Sequence, residues 1–198
     1  MPKVSAIQLN SGPNVKVNLF DVKNYIEEIA SKDSKMVVLP ENFALMPEND
    51  NDYLKHSEIL DDGPIQAYIS DLAKTYKIWI VSGTIPIKSS DKNRVMASTI
   101  TYDDKGKRVS VYNKIHLFDV TLPKSNESYN ESKYFMPGET IEVIDTPIGK
   151  AGIACCYDLR FPELFRLQQE KGIEVIILPA SFTEQTGKVH WEALIKAR

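Results

Sequence analysis

Three observations predict a mixed α/β fold for this chain. Continuous apolar runs of strand length recur, as at residues 35–40 and 78–83, and such runs suit strands buried on both faces of a sheet. Between them, residues 18–30 and 64–76 repeat apolar side chains at helical spacing. One β-α-β pattern also occurs twice. Lys3-Val4-Ser5-Ala6-Ile7, a helix and Met36-Val37-Val38-Leu39-Pro40 are echoed by Lys150-Ala151-Gly152-Ile153-Ala154, a helix and Val175-Ile176-Ile177-Leu178-Pro179. Crossovers of this kind join parallel strands, so two sheet halves of similar build are expected.

The elements follow in order. Residues 4–9 have the apolar content of a first strand, and residues 18–30 form a helix on Leu19, Val22, Tyr25, Ile26 and Ile29, with Asn18 as its expected N-cap. Residues 35–40 are the second strand. Pro64 suits the first position of a helix over 64–76, where a missing N–H costs nothing. Residues 78–83, 96–102 and 109–112 are further strands, the last two joined by the hairpin signal Asp103-Asp104-Lys105-Gly106. Residues 113–138 are rich in Ser, Asn and Glu and read as a long polar loop, a kind of segment that often carries function. Gly152 to Cys155 end a short apolar strand. Pro162 then opens a helix, with Glu163 favouring its N-terminal dipole and Gly172 its stop. Residues 190–198 form a helix with no C-cap glycine, so the chain is expected to break off within an element.

Composition narrows the class. Among 198 residues, 42% hydrophobic content leaves room for one sizeable core, and a formal charge of −3 argues against a nucleic-acid surface. No apolar run approaches the roughly 18 residues of a membrane span, and residues 1–4 lack a signal-peptide h-region. The two cysteines are adjacent, which makes no disulfide framework and predicts a reduced, cytoplasmic protein. With three scattered histidines, a cysteine-based zinc site is not expected.

Three polar residues stand where apolar runs end: Glu41 after 37–40, Lys114 after 109–113, and Cys156 after 152–155. A thiol is only a few per cent thiolate near neutral pH. An ammonium beside it lowers its pKa, and a carboxylate can accept its proton. The same ammonium can stabilise the oxyanion formed when a carbonyl or nitrile carbon is attacked. Glutamate, lysine and cysteine are thus a complete set for covalent hydrolysis of a C–N bond. Strand alternation places Cys155 on one face with Ala151 and Ile153, and Cys156 on the other with Gly152 and Ala154. Tyr157, next along, offers its backbone N–H as a candidate oxyanion donor.

Pro40-Glu41-Asn42-Phe43, Tyr112-Asn113-Lys114-Ile115-His116 and Cys156-Tyr157-Asp158-Leu159-Arg160-Phe161-Pro162-Glu163 resemble, in order and spacing, the three signature segments of the nitrilase superfamily of carbon–nitrogen hydrolases. Asn130-Glu131-Ser132, Met136-Pro137-Gly138 and Thr186-Gly187 ahead of His190-Trp191 look closest to its Nit branch of ω-amidases and deaminated-glutathione amidases. The resemblance implies a four-layer α-β-β-α sandwich, and one carbon–nitrogen hydrolase domain over residues 1–198. That domain is expected to be partial at the C-terminus, because family members are longer. It implies Glu41 as general base, Lys114 as oxyanion-stabilising cation, Cys156 as nucleophile, and Glu131 as a second glutamate positioning the lysine and the substrate amide. It also implies a small-molecule amide as substrate, no metal or organic cofactor, and a homodimer for the full-length form. Cys155 stands where the family usually has an aliphatic residue and reads as core filling.

The alternatives are a true nitrilase or N-carbamoyl amino acid hydrolase, and a non-catalytic remnant that acts through partner binding. Each site residue has a plainer reading as well. Glu41, Lys114 and Glu131 could be solvated loop charges. His116 and His190 could pair with Cys156, but satisfied structural histidines are the expectation. Asp158, Arg160 and Glu163 are expected to form a structural network at the helix start.

Overall fold

The computed structural model describes residues 2–49, 51–122 and 127–198. Five strands make the first sheet: β1 (Lys3–Ala6), β2 (Ser34–Val38), β3 (Trp79–Lys88), β4 (Val95–Tyr102) and β5 (Arg108–Asn113), hydrogen-bonded in that order. β1, β2 and β3 are parallel, and β3, β4 and β5 antiparallel. α1 (Val15–Ser31) is the crossover between β1 and β2, and α3 (Pro64–Tyr76) precedes β3; a single turn, α2 (Asp52–Lys55), lies between. Val22 and Ile26 of α1 and Ile65, Ile69 and Leu72 of α3 bury against Val37, Ile80, Ile85 and Ile100 of the sheet.

The second sheet has three strands in the order β10 (Val175–Ile177), β9 (Gly149–Ile153), β8 (Glu142–Thr146). β9 and β10 are parallel across α4 (Pro162–Glu170), so both expected crossovers form. Met36, Val81 and Tyr112 of the first sheet pack with Ile144, Ala151 and Ile153 of the second, and Leu164 and Phe165 of α4 close that core. The order of layers is therefore α1/α3, sheet, sheet, α4: the nitrilase-like α-β-β-α sandwich. α5 (Glu184–Ala197) follows β10, its first turn capped by the Thr183 side chain.

Several elements differ from the sequence reading. The N-cap of α1 is Asn14, whose side-chain oxygen takes the N–H groups of Lys16 and Val17. Asn18 lies a turn inside the helix; its buried amide donates to the carbonyls of Gly12 and Ala44 and accepts the Gly12 N–H. A polar side chain next to an apolar run marks a helix start only if it stays at the surface, and Asn18 instead satisfies buried loop backbone. Residues 113–138 are not a plain loop. They hold an antiparallel hairpin, β6 (Asp119–Leu122) and β7 (Glu127–Asn130), then a 3₁₀ turn at Glu131–Lys133; residues 123–126 lie outside the described residues. Composition missed the hairpin because, among the described residues, its two strands pair only with each other and bury little. The helices opened by Pro64 and Pro162 start on those residues.

Candidate active site

Glu41 leaves β2 through Pro40, in a turn that depends on Gly83. A Cβ at Gly83 would stand 2.0 Å from the Pro40 carbonyl oxygen, and its φ of 66° lies in the left-handed region that glycine tolerates. Beyond the turn, Asn42 also has positive φ, and its N–H donates to the Thr84 hydroxyl at 2.8 Å. The Glu41 carboxylate is thereby aimed inward rather than solvated.

Lys114 follows β5 and is clamped by its own backbone. Its N–H donates to Ala97 O and its carbonyl accepts from the Gly138 N–H, at 2.9 and 2.8 Å. The side chain is 2% exposed. Its Nζ donates to Glu41 Oε1 at 2.8 Å and to both oxygens of Glu131, at 2.9 and 2.8 Å. Glu131 is held in turn by the Phe118 N–H, at 2.6 Å. Burial works against the ammonium, but Glu41 and Glu131 outweigh it and hold the lysine pKa well above its ordinary value. Two carboxylates share one cation. Burial chiefly, with Glu41 adding to it, raises the Glu131 pKa against the pull of Lys114.

β9 ends at Ile153, so neither cysteine belongs to a strand and the alternation argument does not reach them. Cys156 instead begins a 3₁₀ turn at Cys156–Arg160, with φ 44°, a strained backbone for a residue with a Cβ. Its N–H donates to Pro179 O at 2.8 Å. The consequence differs from simple alternation: both thiols approach Glu41. Cys155 Sγ lies 3.4 Å from Glu41 Oε1, and the Glu41 charge acts on the Cys156 thiol as well. Only Cys156 lines the cavity described below. Burial first, then the Glu41 charge, push the Cys156 pKa well above the usual thiol range, with Lys114 offsetting part. The resting sulfur is therefore a thiol beside a carboxylate, and the lysine does not by itself make it a thiolate.

Asp158 organises this turn. Fully buried, it accepts Tyr112 Oη at 2.6 Å and the Cys155 N–H at 2.8 Å on one oxygen, and the His116 N–H at 3.0 Å and Nδ1 at 2.7 Å on the other. The expected network among Asp158, Arg160 and Glu163 is thus a different one: Asp158 ties the cysteine turn to β5 and to the segment after Lys114. His116 is structural, stacked on Phe161 with ring centroids 3.7 Å apart. Arg160 points elsewhere, because both its terminal nitrogens donate to His190 Nδ1 at 3.2 Å. A guanidinium only donates, so Nδ1 is the acceptor and the ring proton sits on Nε2. The sequence reading missed Arg160 as a site residue; its place four residues after Cys156, in the same short turn, was the available signal.

Glu41, Lys114, Glu131, Cys156, Tyr157 and Arg160 all line one cavity of about 400 Å³, with Phe118, Tyr129 and Phe182 as aromatic wall and Thr183 at the start of α5. All five residues expected at the site meet there. A second concavity, of about 550 Å³ between α4 and β10, shares no residue with it and contains no nucleophile.

A family model described as carbon-nitrogen hydrolase matches residues 3–198. The chain belongs to the carbon–nitrogen hydrolase family. This hydrolase is 39% identical over 196 residues to a deaminated glutathione amidase of Yersinia enterocolitica, covering 98% of this chain and 68% of that protein. It is 37% identical over 202 residues to omega-amidase NIT3 of Saccharomyces cerevisiae, covering 99% and 69%. The crystal structure of S. cerevisiae Nit3, a member of branch 10 of the nitrilase superfamily, superposes with a TM-score of 0.86 at 34% identity, over 99% of this chain and 70% of that one. The Caenorhabditis elegans NitFhit protein superposes with a TM-score of 0.89 at 32% identity, over 100% of this chain and 49% of that one. No helix among the hydrolase's described residues is long and apolar enough to cross a membrane.

Proposed function

We propose that this hydrolase is an amidase acting on a small ω-amide that bears a carboxylate, of the deaminated-glutathione or α-ketoglutaramate type, through a thioester on Cys156. The observation that carries the reading is the meeting of Glu41, Lys114 and Cys156 at one cavity whose wall also presents Arg160. The names of the two amidase relatives support it.

Glu41 takes the thiol proton as sulfur attacks the amide carbon, since the thiol does not ionise unaided. The carbonyl oxygen becomes an oxyanion facing Lys114. The Cys156 N–H is already given to Pro179, so Tyr157 N–H is the next donor the turn offers. Glu41 returns the proton to the leaving nitrogen, the C–N bond breaks, and ammonia or an amine departs from a thioester. Water then enters and Glu41 takes its proton. Hydroxide adds to the thioester carbon, and collapse breaks the C–S bond with the proton going back to sulfur. Glu131 holds the Lys114 ammonium in place through both steps. Arg160, fixed by His190, pairs with the substrate carboxylate remote from the scissile bond.

A substrate panel tests this. Turnover of α-ketoglutaramate and deaminated glutathione is expected, with nitriles and N-carbamoyl amino acids poor. Preference for either of the latter overturns the substrate class. No turnover with any of them leaves a chain that acts through binding alone. Arg160→Met is expected to raise KM for the carboxylate-bearing amides about tenfold or more, the scale of a lost charged hydrogen bond, while sparing an uncharged amide such as butyramide. The homodimer of the full-length form belongs to the same reading: Val189, 68% exposed, and Ile195 on α5 are apolar and uncovered. Light scattering at monomer mass would remove it. Two free thiols support a reducing compartment, the cytoplasm; labelling of a tagged protein in its native cell outside the cytoplasm would remove that placement.

A further inference from the structure

Cys155 is a buried nucleophilic group that this mechanism leaves unused. It is fully enclosed and contributes nothing to the cavity lining, which fits core filling as far as volume goes. Its polar contacts go further. Cys155 Sγ lies 3.4 Å from Glu41 Oε1, the oxygen that also receives Lys114 Nζ at 2.8 Å. On its other side the Asp158 backbone N–H, bonded to the Cys155 carbonyl at 3.0 Å, also reaches the same sulfur, while the Cys155 N–H donates to the Asp158 carboxylate, a reciprocal cap on the turn that begins with Cys156. A thiol has one weak donor and one weak acceptor, and here both are engaged. Burial, then the charge of Glu41, raise the Cys155 pKa well above the ordinary range, so the sulfur keeps its proton. The hydrogen bond therefore runs from S–H to carboxylate.

We propose that Cys155 is a positioning residue for the catalytic base: its S–H, anchored to the Cys156 turn, sets the orientation of the Glu41 carboxylate towards Cys156 and Lys114. An aliphatic side chain there fills the same space but leaves Glu41 held by Lys114 from one side only. The carboxylate could then rotate away from the Cys156 thiol, and proton transfer demands hydrogen-bond geometry between donor and base. The inference rests on Glu41 and Cys156 holding the roles proposed above.

The test compares Cys155→Val, which fills the site without a donor, with Cys155→Ser, which keeps a donor. kcat and KM for α-ketoglutaramate are measured alongside the melting temperature. Cys155→Val is expected to lower kcat about tenfold, the scale of one hydrogen bond to a charged group, with KM within about twofold. Cys155→Ser is expected to recover most of that loss. Wild-type kcat in Cys155→Val overturns the proposal. So does a Cys155→Ser kcat no better than that of Cys155→Val at equal melting temperature, which would mean shape alone matters. Cys156→Ala separates the two readings. If it abolishes turnover while Cys155→Val is normal, only the positioning role fails; if it leaves turnover intact, the nucleophile assignment fails instead.

Discussion

The two sheets contribute to one cavity by different physical means. The five-stranded sheet has α1 and α3 over one face and the other sheet over the opposite face, and β3 and β4 are buried almost throughout. Glu41 and Lys114 leave the ends of its strands and inherit their precision from that packed core. The three-stranded sheet is thinner. β10 has three residues, two of them only half-buried, and α5 buries only Thr186 of its fourteen. Yet it supplies Cys156, the proposed nucleophile and the residue with the least tolerance for misplacement. What holds Cys156 is chiefly polar: its own N–H on Pro179 and the Asp158 network that reaches back to Tyr112 and His116. Apolar packing positions Glu41 and Lys114, and hydrogen bonds across the sheets position the Cys156 thiol.

The largest effect that would break this comparison comes from the triad. Cys156→Ala is expected to abolish turnover. Lys114→Ala and Glu41→Gln should each lower kcat by about three orders of magnitude or more, and the double mutant little further, because the three groups act as a unit. Full additivity in steady-state kinetics would mean that the two sheets contribute independently. An electrophilic amide analogue should leave its adduct on Cys156, read by mass spectrometry.

Next in size is Asp158→Ala. It removes a buried carboxylate that four donors share, and should cost about 3 kcal/mol in urea unfolding together with most of the activity. A loss of stability with full activity would show that the second sheet positions Cys156 by its own packing.

A smaller and opposite effect is expected from thiol alkylation. Because burial and Glu41 raise the Cys156 pKa, the thiolate is scarce at neutral pH. Iodoacetamide modification should be slow there and accelerate as pH climbs through and beyond the usual thiol range. Glu41→Gln deletes the negative charge and leaves Lys114, so modification at a fixed pH should quicken, by about tenfold for each unit the thiol pKa falls, even as catalysis is lost. Slower alkylation in Glu41→Gln would show that the carboxylate activates the thiol at rest rather than only during attack.

The smallest effects lie within the five-stranded half. Asn14→Ala removes a surface cap of α1 and should cost about 1 kcal/mol. Asn18→Ala removes a partner from the part-buried Gly12 backbone and from the buried Ala44 carbonyl, and should cost about 2 kcal/mol. Thermal or urea unfolding distinguishes them, and equal costs would deny that buried tethering adds anything to this half.

What could be read along the chain was whatever depends on near neighbours. Pro64 and Pro162 mark helix starts because proline lacks an N–H and pre-sets φ, whatever surrounds it. Apolar runs followed by Glu41, Lys114 and Cys156 mark strand ends opening on a cleft, and the segments around them carried the family likeness. The tertiary structure alone decided which polar groups meet. Cys155 and Glu41 are 114 positions apart, and the sharp turn after Ile153, not strand alternation, brings both thiols to that carboxylate. Asp158 turned from the helix start to β5, Asn18 from a cap to a tether, and the segment after Lys114 from loop to hairpin. In each case a buried hydrogen-bonding group took the partner that the packed layers placed within reach. Desolvation makes an unpaired polar atom costly wherever the chain has left it, and no local pattern records which distant partner will relieve it.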